Sequence, residues 1–73
     1  MALVKQFSEK DVVRTSVHNE VAATFHVFRE RGEVYLQIDT YGAPGRQIAG
    51  KVSQSIQLGA EGRAALLQLL SDL

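Results

Sequence analysis

The chain has no cysteine, no tryptophan and only one proline. Without cysteine there are neither disulfides nor thiolate zinc sites. The two histidines, His18 and His26, have no cysteine to join them, so neither a structural metal nor a cofactor is expected. Long apolar runs are missing too. No stretch approaches the ~20 residues needed to span a bilayer, and the N-terminus lacks the apolar core of a secretory signal. These absences predict a cytoplasmic chain with no membrane association. An excess of charge of one sign is also lacking: eight Lys and Arg balance eight Asp and Glu. Nucleic-acid-binding domains ordinarily carry a basic excess, so any such activity must rest on local placement of charge.

What is present reads as globular: 73 residues, 45% hydrophobic and 22% charged. That is room for one domain, residues 1–73. So short a chain buries a smaller share of its surface than a longer one, and its core needs help. With disulfides and metal set aside, self-association is the aid that remains.

Four strand-like segments and one helix follow in order. Val12 to Val17 is short and β-branched and predicts a strand, with His18-Asn19-Glu20 as a turn or bulge. Val21 to Phe28 alternates. The charged run Arg29-Glu30-Arg31-Gly32-Glu33 follows, with a glycine able to take positive φ, which predicts a hairpin turn. Val34 to Tyr41 alternates most clearly, then Gly42-Ala43-Pro44-Gly45 breaks the pattern as a loop. Lys51 to Leu58 resumes alternation, with Gln54 as the exception on its apolar side. From Ala60 to Leu73, alanines and leucines predict a helix. Its cap is poor, because Gly59 offers no side-chain oxygen, and Gly62 costs ~1 kcal/mol relative to alanine. Glu61 suits the positive end of the helix dipole. The fold class is therefore α+β: a curved antiparallel four-stranded sheet followed by one C-terminal helix, ββββα.

Strand alternation sorts the side chains onto two faces. Val21, Ala23, Phe25, Val27, Val34, Leu36, Ile38, Val52, Ile56 and Leu58 fall on one, expected to lie beneath the helix. Thr24, His26, Phe28, Tyr35, Gln37, Asp39, Tyr41, Lys51, Ser53, Ser55 and Gln57 fall on the other, with Arg29, Arg31 and Arg46 in turns beside it. The helix stripe of Leu66, Leu69, Leu70 and Leu73, widened by Leu67, exceeds what one side of a small sheet covers. Either a second subunit takes the surplus, making these leucines a dimer interface, or the sheet curls around the helix.

Aromatic rings beside hydrogen-bonding groups suit unpaired nucleic acid, because rings stack on any base. The same residue types are also ordinary on the wet face of an antiparallel sheet, and Asp39 sits poorly in a phosphate track. Catalysis finds little to stand on. Ser53 and Ser55 lie in no Gly-x-Ser-x-Gly elbow, no phosphate-binding loop follows either glycine-rich stretch, and nothing forces Asp39 and Glu33 to converge. No catalytic residue is assigned.

The run from Phe28 to Leu70 resembles the positive-cofactor-four type of transcriptional coactivator and its bacterial single-strand-binding relatives. The likeness rests on a strand ending at Phe28, a charged turn with Gly32, and Val34-Tyr35-Leu36-Gln37-Ile38-Asp39-Thr40-Tyr41. It continues through Gly42-Ala43-Pro44-Gly45-Arg46, Gly50-Lys51 and Ser55-Ile56-Gln57-Leu58 to a leucine-bearing helix with Glu61 near its start. The resemblance implies four antiparallel strands and a helix, dimerisation through the helices, and single-stranded DNA or RNA held on the sheet with little sequence preference. It matches Arg46 and Lys51 to the family's basic residues, and Tyr41 to the aromatic ending the second strand.

Two non-enzymatic readings follow. In the first, a homodimer binds single-stranded nucleic acid through His26, Arg29, Tyr35, Gln37, Tyr41, Arg46, Lys51, Ser53 and Ser55. In the second, the leucine-rich helix or a sheet edge makes an interaction or assembly module, which the net neutrality favours.

Overall fold

The computed structural model describes residues 1–42 and 50–73. The loop residues 43–45 and Arg46 lie outside the described residues. Among the described residues, four strands form one open sheet in the order β1-β4-β3-β2, followed by a single helix. They are β1 (Ala2–Leu3), β2 (Ala23–Glu30), β3 (Glu33–Tyr41), β4 (Val52–Leu58) and α1 (Ala60–Ser71). β2, β3 and β4 pair antiparallel, whereas β1 runs parallel to β4. The α+β class is therefore as expected, with a mostly antiparallel sheet.

The first strand is not where its sequence pointed. Val12 to Val17 forms no strand, and Val13 and Val17 stand fully in solvent. β-branched residues favour a strand only where a neighbour supplies ladder partners, and this segment has none. Its place is taken by Ala2 and Leu3 opposite Ile56 and Gln57, continued by the Val4 N–H donating to the Gln57 carbonyl at 2.9 Å.

The hairpin between β2 and β3 is tighter than the charge run suggested. Glu30 pairs with Glu33, leaving a two-residue turn of Arg31 (φ 52°) and Gly32 (φ 79°). Positive φ at both central positions is the turn geometry that matches strand twist. Arg29 and Glu30 are thereby drawn into β2. Between β3 and β4 the register slips at Thr40/Tyr41, so that Thr40 faces Gln54 while Tyr41 faces Val52 and Ser53 is passed over. This bulge pairs Val52 with Tyr41 instead of leaving it in line with Ile56 and Leu58.

Gly59 connects β4 to α1 directly, in extended conformation and without a side-chain cap. The 12-residue helix is about 18 Å long and packs against β3 and β4, the two inner strands of the sheet. Gly62 faces Leu58, and a Cβ on it would collide with the Val4 carbonyl oxygen. Arg63 fixes the first turn by donating from its guanidinium to the Val34 carbonyl at 2.5 Å.

Val21 falls outside β2 and Val52 is set opposite Tyr41; the rest of the apolar side is sorted as expected but not covered as expected. Leu58 is fully buried. At the β2 end, by contrast, Phe25 is 73% exposed and Val27 60%. The helix starts one residue after β4 and reaches β3 and β4 but not β2, so the far half of its own sheet face stays open.

Candidate nucleic-acid interface

Residues directly opposite in an antiparallel ladder project to the same face. The pairs Phe28–Tyr35, His26–Gln37, Thr24–Asp39, Gln37–Gln57 and Asp39–Ser55 thus place all these side chains together, away from Leu58. Tyr35 and Tyr41, six residues apart on unbroken β3, share this face.

One side of the face is aromatic. The Phe28 and Tyr35 rings are stacked across the β2–β3 pair, with centroids 5.4 Å apart and planes at 22°. His26 extends the row, 5.8 Å from Phe28. Leu3 of β1 closes the other flank. A hollow of about 200 Å³ is lined by Leu3, Phe28, Glu30, Tyr35 and Gln57. Tyr41 shares a 3.0 Å hydrogen bond with Thr24 across to β2.

The centre is a hydrogen-bond chain that ends on a carboxylate. Gln57 Nε2 donates to Gln37 Oε1 at 2.9 Å, and Gln37 Nε2 donates to Asp39 Oδ1 at 2.9 Å. Ser55 Oγ donates to the same oxygen at 2.5 Å. Asp39 and Ser55 are the two buried polar residues of the described chain, 9% and 6% exposed. The Ser55 hydroxyl, then the Gln37 amide, hold the Asp39 carboxyl below its usual range; desolvation opposes them and nearby His26 adds a small further lowering. Asp39 is therefore a fixed anion whose Oδ1 is engaged by its own sheet.

The edge near the β2–β3 turn is acidic as well. Glu30 and Glu33 face each other there, and Tyr35 donates its hydroxyl to Glu33 Oε2 at 2.7 Å. That hydrogen bond first, then burial and the negative charge of Glu33 and Glu30, raises the Tyr35 hydroxyl above its ordinary range.

Of the residues expected at the site, His26, Tyr35, Gln37, Tyr41 and Ser55 are brought onto one face. Ser53 sits at the bulge and is exposed, and Lys51 is exposed immediately before β4. Arg29 is not in the turn beside this face. It pairs with Val34 within β2 and belongs by register to the apolar side, because the tighter hairpin shifts it into the strand. Arg46 lies outside the described residues. Leu3, Glu30 and Glu33 border the site without having been expected there. A two-residue strand leaves no periodicity to read, and the glutamates looked like turn residues. Leu69, Leu70 and Leu73 of the helix stripe are exposed, and Leu66 is half-buried.

Asp39 and Glu33 share a face but are engaged separately, by Ser55 with Gln37 and by Tyr35. Among the described residues no group of His, Asp and Glu gathers to hold a metal ion, and no helix is long and apolar enough to cross a membrane. No family model, no curated protein and no solved structure matches the chain.

Proposed function

We propose that the protein binds single-stranded nucleic acid, with little sequence preference and as a homodimer, on the polar-aromatic face of its sheet. The observation that carries this reading is the row His26–Phe28–Tyr35, three rings in contact on one open face, beside the half-buried amides of Gln37 and Gln57. Bases stack on such a row whatever their identity. The central Asp39 sets the orientation. Phosphates are repelled from it, so bases turn toward the sheet and the backbone runs outside, near Lys51. Few phosphates are then neutralised, and affinity comes more from stacking than from counterion release.

The test is fluorescence anisotropy with labelled single- and double-stranded oligonucleotides at two salt concentrations. Single strands are expected to bind and duplexes, whose bases are already stacked, to bind far less. Tyr35→Ala should weaken binding about 5- to 150-fold, the equivalent of ~1–3 kcal/mol of stacking. Lys51→Gln should lower the salt slope by roughly one unit, and Tyr41→Ala should weaken binding with the fold retained. Absence of binding at low salt and micromolar protein removes the proposal.

A second reading has its own support. The uncovered apolar side, with Phe25, Val27, Leu67 and Leu70 in solvent, suits an assembly module that works through protein contacts alone. It predicts stable self-association and no response to any oligonucleotide.

A further inference from the structure

A folded monomer of 8.0 kDa exposes on the order of 4,450 Å². This chain exposes 6640 Å². Its radius of gyration is 14.6 Å, where a compact chain of this length has roughly 11 Å. It forms a slab 38 × 37 × 18 Å, thin along one axis. The irregular stretch between β1 and β2 accounts for part of the excess. Apolar side chains contribute to the rest: Phe25 and Val27 on β2 and Ile56 on β4, on one sheet face, and Leu67, Leu69 and Leu70 on the helix. A sheet whose greasy side its own helix covers only in part needs a second layer over the remainder.

We infer that a second copy of this chain covers the apolar side of the sheet, with Phe25, Val27 and Ile56 at the centre of the interface and the helix leucines at its margin. This deepens the homodimer part of the function proposed above and does not depend on nucleic-acid binding. Three observations select a second copy as the occupant. The excess is ~2,200 Å² per chain, so a symmetric pair that hid only half of it would bury ~2,200 Å² in total, within the 2,000–5,000 Å² class of obligate homodimers. The net charge is zero, so like chains are not repelled. The face is nearly uncharged over β3 and β4, where its polar members are the cross-strand pair Thr40 and Gln54, while Arg29 lies at the β2 end. Packing the uncovered parts of two such faces together also leaves both polar-aromatic faces outward.

This interface differs from one made by the helices alone, and mass measurement separates the two. Light scattering on the full chain without nucleic acid should give twice 8.0 kDa, and Phe25→Glu should give the single-chain mass with the circular dichroism spectrum retained. A parent protein of single-chain mass overturns the inference. So does a dimer that survives Phe25→Glu and Val27→Glu yet dissociates with Leu70→Glu. Should Phe25→Glu unfold, single-cysteine variants decide the matter cleanly, since the parent has no thiol. Val27→Cys should react with a maleimide at least 10-fold more slowly than Val13→Cys, which is fully exposed. Equal rates overturn the inference.

Discussion

Replacing Gly62 with alanine isolates one packing contact, because two effects of opposite sign compete there. In a solvent-facing helix, glycine to alanine gains ~1 kcal/mol from backbone entropy. Here the added Cβ would collide with the Val4 carbonyl oxygen and lie 3.0 Å from Leu58 Cδ2. The leucine tip can shift, but the carbonyl belongs to backbone held by the Val4–Gln57 hydrogen bond. Overpacking of this kind costs ~1–3 kcal/mol. The least costly relief is to push the β1 segment off β4, which also gives up that hydrogen bond, worth about 1 kcal/mol. The net expectation is a loss of about 1–3 kcal/mol, or roughly 4–24 °C in Tm for a domain this small. Urea denaturation followed by circular dichroism measures it. Ala64→Gly, at an exposed position of the same helix, serves as the propensity control and should cost ~1 kcal/mol. The Val4 amide should also lose hydrogen-exchange protection in Gly62→Ala. If Gly62→Ala instead gains the ~1 kcal/mol of an unobstructed helical glycine, the close approach of β1 to α1 is wrong.

Three further outcomes are expected. Arg31→Asn should stabilise the fold by ~0.5–1 kcal/mol, because asparagine tolerates the left-handed conformation that Arg31 adopts at φ 52°; denaturant midpoints measure it. Leu58→Ala should cost ~2–5 kcal/mol, since Leu58 is fully buried and its loss leaves a cavity beneath α1; thermal melts will show whether the domain still folds. Ser55→Ala removes the largest cause of the lowered Asp39 carboxyl. A depressed carboxyl stabilises the fold above its unfolded pKa, and that contribution is lost as pH falls through the folded value. The variant should therefore be less stable than the parent at neutral pH, and the two denaturation curves should converge as pH drops below about 4.

How much of this was legible in the sequence depends on what each feature is made of. β2, β3 and β4 were readable because alternation is a local property, and parity alone placed Tyr35, Gln37, Asp39 and Tyr41 together. The helix was readable from composition, down to its uncapped start at Gly59. Pairing was less accessible. Val12 to Val17 has strand-like residues but no ladder, while Ala2 and Leu3 gain strand geometry only from β4. The Gln57–Gln37–Asp39–Ser55 chain needs the β3–β4 register, and the bulge at Thr40/Tyr41 shows that this register is not a simple continuation. Coverage was least accessible. Alternation says that Phe25 and Leu58 point the same way, but only the length and attachment of α1 decide that one is buried and the other is not.

The central claim is that bases stack on the outward rings of β2 and β3. Tyr35 and Tyr41 are the only tyrosines, there is no tryptophan, and both tyrosines lie on that face, so the intrinsic emission of the protein reports on it alone. Titration with a single-stranded oligonucleotide should quench this emission saturably, in step with the anisotropy of the labelled strand. Binding that leaves tyrosine emission unchanged would contradict the account.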